Sequence, residues 1–196
     1  DKDRNVLQPH APMESEEGCL SCHGVHAAEF DALLDAQTAD LCFGCHSKTR
    51  AAGRRFKNKH APYEDEDCAA CHNPHGSNVV SILNDRSDAV CYSCHLVLES
   101  EYQQRVVHDP VKKGNCISCH SGHGSDTPTL LKEKGNKLCE ECHATLMEKE
   151  LDETEHAPFD EDDCLTCHTA HAGNIEGMIV TDQRTLCYGC HDALES

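Results

Sequence analysis

The chain has 196 residues, no tryptophan, four phenylalanines, four tyrosines and a hydrophobic fraction of 38%, part of which is cysteine. Side chains this poor in apolar area cannot offset the ordering entropy of a globular domain, so something else must fill the interior. The net charge of −18 argues against a nucleic acid or an anionic membrane as partner, and no apolar run is long enough for a transmembrane helix.

The chain opens on DKDRN, as expected of a mature form whose signal has been removed, and has no N-terminal cysteine to carry a lipid. It then repeats itself four times. Each repeat reads His-x-Pro, a polar loop, CxxCHxxH, a short bridge, and CxxCH; HAPYEDEDCAACHNPH and HAPFDEDDCLTCHTAH are two examples. The first motifs hold Cys19 and Cys22, Cys68 and Cys71, Cys116 and Cys119, Cys164 and Cys167. The second motifs hold Cys42 and Cys45, Cys91 and Cys94, Cys139 and Cys142, Cys187 and Cys190. Four modules follow: 1–56, 57–104, 105–152 and 153–196. Each bridge predicts one short helix running into the second motif. The segment 138–155 carries the clearest helical spacing, and His-x-Pro is expected to break helix at each junction. The predicted fold is mostly irregular, with short α-helices and almost no sheet.

CxxCH is the attachment motif of haem c: two thiols add to the two porphyrin vinyl groups, and the following histidine reaches the iron. All eight CxxC pairs here are followed directly by histidine. Zinc ribbons or a disulfide scaffold would use the cysteines but leave those histidines unexplained. The composition therefore predicts eight haem c groups, which would also supply the missing interior.

Eight histidines belong to the motifs: His23, His46, His72, His95, His120, His143, His168 and His191. Eight others recur at repeat positions: His10, His26, His60, His75, His108, His123, His156 and His171. One extra histidine per motif predicts an iron ligated by two histidines at every site. His75 follows His72 too closely to reach the far face of the same haem, so it is expected to bind a neighbour, most simply the haem of Cys91 and Cys94. His60 is expected to fold over the haem of Cys68 and Cys71, which would make each repeat self-sufficient; ligand exchange with an adjacent repeat or another subunit is the alternative. His10 stands nine residues before Cys19, against eight in the other repeats, and is expected to cross to another subunit. With both axial positions filled and no CxxCK present, an enzyme is not expected.

The unit CAACHNPHGSNVVSILNDRSDAVCYSCH resembles the doubled-CxxCH family of multihaem cytochromes c. That resemblance implies electron transfer along closely packed haems in extracellular or periplasmic respiration, with other redox proteins as partners. Members include filament subunits and conduit cytochromes. A polymer of end-to-end subunits is the assembly expected here, secreted to the cell surface. A discrete periplasmic shuttle or conduit is the alternative.

Acidic stretches 14–18, 64–67 and 160–163 read as solvated loops, with Ca2+ capture as the sharper expectation. The basic stretch 48–60 is expected to pair with haem propionates. Met13, Tyr63, Val111 and Phe159, three residues after each His-x-Pro histidine, are expected to pack on rings.

Overall fold

A computed structural model describes residues 6–146, 156–160 and 164–192. The first motif of each repeat begins on a 3-10 turn: Gly18–Ser21, Cys68–Ala70, Cys116–Ser118 and Cys164–Thr166. The motif histidine donates its backbone N–H to the carbonyl of the first cysteine, at 3.0 Å for His23 to Cys19 and His72 to Cys68. The chain then turns back, and the histidine bridges an apolar residue antiparallel: His23 with Leu34, His72 with Leu83, His120 with Leu131, His168 with Ile179.

The corner of each return is two consecutive left-handed residues. These are Ala32–Leu33 (φ 54° and 58°), Ser81–Ile82 (60° and 49°), Thr129–Leu130 (53° and 59°) and Gly177–Met178 (70° and 55°). Such a pair is the conformation of a type I′ turn, which normally draws glycine or asparagine. Only the fourth repeat uses glycine here. The bridge then enters a helix carrying second-motif residues, as expected: Thr38–Cys45, Ser87–Tyr92, Lys137–His143 and Gln183–Tyr188. After Lys137–His143 a 3-10 turn spans Ala144–Leu146; the rest of the helix expected over 138–155 lies outside the described residues.

His-x-Pro does not break helix; it starts one. His10, His60 and His108 are the N-caps of Ala11–Glu14, Ala61–Glu64 and Asp109–Lys112. Proline falls in the first turn, where its N–H would have no intrahelical partner and its fixed φ suits the helix.

Two-residue strands precede these histidines. Strand β1 (Gln8–Pro9) pairs antiparallel with β3 (Gly76–Ser77), β2 (Asn58–Lys59) with β5 (Gly124–Ser125), and β4 (Val106–Val107) with β6 (Ala172–Gly173). Each ribbon joins one repeat to the next. Gly76 and Gly124 sit at φ 122° and 153°, and a Cβ at either would lie 2.6–2.7 Å from the carbonyl oxygen of Gln8 or Asn58.

The chain divides into two compact units, Asp1–Val90 with His120–Leu131, and Cys91–Cys119 with Lys132–Ser196. The first holds β1–β3 and β2–β5; the second holds β4–β6. Among the described residues the buried apolar side chains are Ala39, Phe43 and Ala172, while Leu7, Val80 and Leu96 are 71–82% exposed. The polypeptide alone therefore has almost no core, as its composition requires. None of its described helices is long and apolar enough to cross a membrane.

Candidate functional site

None of the sixteen cysteines is joined in a disulfide. Thiols of first and second motifs lie close to one another. Burial and the thiol of Cys68 push Cys42 up to about 11. Burial and then Cys45 raise Cys22; burial and then Cys142 raise Cys119; burial and then Cys164 raise Cys139. These thiols thus keep their protons at neutral pH. Among the described residues no group of three or more His, Cys, Asp or Glu is gathered to hold a metal ion. The same holds for the Ca2+ expectation at 14–18 and 64–67, where Asp67 instead accepts a hydrogen bond from the Ala70 N–H at 3.2 Å. Residues 161–163 lie outside the described residues.

The first-motif histidines share one device. Nδ1 of His23, His72, His120 and His168 donates to the carbonyl oxygen of Ala32, Ser81, Thr129 and Gly177, at 2.8–2.9 Å. A carbonyl only accepts, so Nδ1 carries the hydrogen and Nε2 presents a lone pair. Each accepting residue is the first left-handed residue of the bridge corner. The strained turn thus fixes the tautomer and aim of the motif histidine. The His-x-Pro histidines are fixed alike: Nδ1 of His10, His60 and His108 donates to Pro74, Gly122 and Ala170, at 2.8–3.1 Å.

Imidazoles then meet in pairs. Ring centroids lie 6.0 Å apart for His10 and His46, 6.1 Å for His23 and His75, and 6.1 Å for His72 and His123. In the second unit His108 and His143 are 6.1 Å apart, and His156 and His191 5.9 Å. Every one of these five pairs joins a motif histidine to one outside the motifs.

The pairing differs from the expectation in three ways. His75 meets His23 of the preceding repeat, not the second site of its own repeat. The β1–β3 ribbon causes this, since it ties Gly76–Ser77 to the first repeat and carries His75 with it. His72 meets His123 rather than His60. His10 meets His46 within its own chain. His60 donates its backbone N–H to the His123 carbonyl at 3.1 Å, and His108 donates to the His171 carbonyl at 2.9 Å. His95 returns its N–H to Cys91 at 3.0 Å. His26 and His168 face no imidazole among the described residues.

Aromatic rings flank the pairs. Tyr63 lies 5.0 Å from His123 and edge-on to Phe43 at 6.4 Å, and its hydroxyl donates to the Thr49 carbonyl at 2.8 Å. In the second unit Tyr102 lies 4.9 Å from His171. Desolvation, then the His72 and His60 imidazoles, hold His123 below the usual histidine value, which favours the neutral form that a metal ligand needs. In the basic stretch, Arg50 lies over Phe43 at 5.2 Å and 3.5 Å from Asp40, and Lys59 reaches Glu64 at 3.8 Å.

The carbonyls of Ala32, Ser81, Thr129 and Gly177 were not among the residues singled out from sequence. Their signal was present: each sits nine residues after the motif histidine and two before the bridging Leu or Ile.

Comparison with known families adds one match. The model of the doubled CXXCH motif matches residues 10–51, 60–98, 108–148 and 156–196. No curated protein matches the chain. Four such motifs across nearly the whole length, with every motif cysteine and histidine in place, mean that the chain belongs to the doubled-CXXCH family, as a multihaem c-type cytochrome.

Proposed function

We propose that the chain moves electrons along eight haem c groups, each bound by thioethers to one CxxCH motif and ligated by two histidines. In this reading the motif histidines are the proximal ligands. His10, His26, His60, His75, His108, His123, His156 and His171 are the distal ones. The observation that carries it is the recurrence of imidazole pairs at 5.9–6.1 Å. A metal held end-on between two imidazole nitrogens, at about 2.0–2.1 Å each, puts the ring centroids about 6.3 Å apart, so the residues present fit the group. Ligating histidines also tie their second nitrogen to an acceptor, which seven of these do through Nδ1.

The bound haem supplies one-electron exchange between ferric and ferrous iron. The polypeptide fixes seven of these imidazoles through Nδ1, and the histidines of each pair would hold the metal from both sides, which would keep small substrates off it. That occupancy favours a carrier over a reductase. Exposed apolar side chains such as Val80, Leu96 and Val97 are 66–72% exposed without haem, and they are available to cover macrocycle faces.

We read the carrier as a filament subunit, secreted or on the cell surface, in preference to a discrete periplasmic shuttle or conduit. The support is that consecutive repeats are joined by the same two-residue ribbon each time. Optical and electron paramagnetic resonance spectra of the assembled protein test the ligation: only low-spin iron is expected, with no CO binding after reduction. Several CO-binding haems per chain would remove the bis-histidine reading and restore an enzyme. Negative-stain microscopy tests the filament, and small particles at every concentration would exclude it.

A further inference from the structure

Each two-residue ribbon runs directly into two histidines. His10 follows β1, and His75 precedes β3, the strand paired with it. The ladder continues past the strands, where the His10 N–H donates to the His75 carbonyl at 3.4 Å. His10 Nδ1 donates to the neighbouring Pro74 carbonyl at 2.8 Å. From this shared base the two rings part. His10 meets His46 with centroids 6.0 Å apart, and His75 meets His23 at 6.1 Å. One ribbon therefore carries the histidines that face both motif histidines of repeat 1.

The other end of the ribbon is closed by a side chain. Leu7, three residues before His10, donates its N–H to Oδ1 of Asn78, three residues after His75, at 2.8 Å. The same clamp recurs at the same spacing. Lys57 donates to Oδ1 of Asp126 at 3.1 Å, beside the ribbon of His60 and His123. Arg105 donates to Oδ1 of Asn174 at 3.4 Å, beside the ribbon of His108 and His171. An amide serves in two ribbons and a carboxylate in the third. What they share is an acceptor oxygen on a short side chain, which takes up the N–H of the opposite strand. Between clamp and histidines, Gly76 sits at φ 122°. A Cβ there would lie 2.6 Å from the Gln8 carbonyl oxygen and 2.7 Å from the Pro9 Cα, both backbone atoms of the opposite strand. The strands thus approach to a distance that only glycine allows at this position.

We infer that each ribbon positions its two histidines as one body, and that the β1–β3 ribbon so couples the haem of Cys19 and Cys22 to the haem of Cys42 and Cys45. Asn78 and Gly76 are positioning residues for both haems, although neither is a ligand. The coupling is mechanical. His10 rests on the residue beside His75 through Nδ1 and on His75 itself through its N–H, so a shift of either backbone moves the other ring. Loosening the ribbon loosens both ligands, whereas removing one ring leaves the other in place. The two sites then share a coupling free energy in ligation. Asp126 and Asn174 hold the equivalent place in the other two ribbons.

The inference rests on the bis-histidine reading above, and the experiment separates the two. The purified holoprotein is compared with its His75→Ala, His10→Ala, Gly76→Val and Asn78→Ala variants. After reduction, His75→Ala and His10→Ala should each bind one CO per chain, since each removes one ring and leaves the ribbon. Gly76→Val should bind two, with both histidines still present. In Asn78→Ala, two haems per chain should turn high-spin on heating, in one step, about 2–4 °C below wild type, as expected for one lost hydrogen bond. Asn78→Asp should restore that midpoint, as Asp126 does the same work. The Asn78 pair decides the matter if Gly76→Val does not take up its haems. One CO-binding haem or none in Gly76→Val would overturn the inference. So would an Asn78→Ala transition that involves a single haem or keeps the wild-type midpoint, or an Asn78→Asp protein that melts like Asn78→Ala. If neither His75→Ala nor His10→Ala binds CO, the bis-histidine reading itself fails, and the inference with it.

Discussion

His23 and His75 belong to consecutive repeats, yet their imidazoles lie 6.1 Å apart, centroid to centroid. The β1–β3 ribbon holds them there, through Gln8 opposite Ser77 and Pro9 opposite Gly76. A motif histidine of one repeat thus meets a histidine of the next. Replacing His75 should therefore expose the haem at Cys19 and Cys22, not the one at Cys91 and Cys94. CO binding by the reduced His75→Ala protein reads this. The signal should vanish when Cys19 and Cys22 are also replaced, and should persist when Cys91 and Cys94 are replaced instead.

The corner turns that aim the first-motif histidines predict a difference between repeats. Gly177 has φ 70° and Ser81 φ 60°, and the carbonyls of both accept from a histidine Nδ1. A left-handed residue with a Cβ costs roughly 1–2 kcal/mol, and a β-branched one more. Gly177→Val should destabilise the holoprotein by about 2 kcal/mol. Ser81→Gly should be neutral or slightly stabilising, because relieved strain offsets the added chain entropy. Guanidinium unfolding followed at the haem band measures both. Equal effects would mean that the corner is not strained.

A third prediction concerns the packing beside His123. A Cβ on Gly53 would collide with the Tyr63 ring, whose hydroxyl is held by the Thr49 carbonyl. Gly53→Ala should cost about 1–3 kcal/mol through overpacking, and Tyr63→Phe only about 0.5–1.5 kcal/mol through the lost hydrogen bond. The two losses should not add in the double variant, because Tyr63→Phe removes the hydroxyl that the added Cβ meets first. Additive losses in a double-mutant cycle would separate Gly53 from Tyr63.

Much of this site was legible in the sequence, and the illegible part has a physical cause. The motif spacing and the matched histidine count pointed to the cysteines and both histidine sets without a fold. Helices entering the second motifs followed from the bridges. His-x-Pro was misread, because proline stops a helix from within but starts one in the first turn, and sequence does not say which turn it occupies. The pairing of His75 was misassigned because local offset sees only the chain on either side. The ribbon that carries it rests on two backbone residues per strand, with no hydrophobic alternation to announce it.

The helix of the last motif should respond to acid. Asp182 caps Gln183–Tyr188 by accepting from the Thr185 N–H at 3.1 Å, and the Thr185 side chain, then its N–H, hold the carboxyl below its ordinary value. A carboxylate lowered in the folded state stabilises above the unfolded value, about 3.9, and loses that contribution as pH falls through the lower folded value. The stability difference between wild type and Asp182→Ala should therefore be full at neutral pH and shrink on acidification. A difference that is flat with pH would mean that the cap does not depend on charge.

The central claim is that every CxxCH motif holds a haem through both of its thiols. Intact mass of the denatured protein, recorded after treatment with an alkylating reagent, tests it most directly. The account predicts the polypeptide plus eight haems with no alkyl group added, since all sixteen cysteines are consumed. A mass with four haems, or with none and sixteen alkylated cysteines, would contradict it.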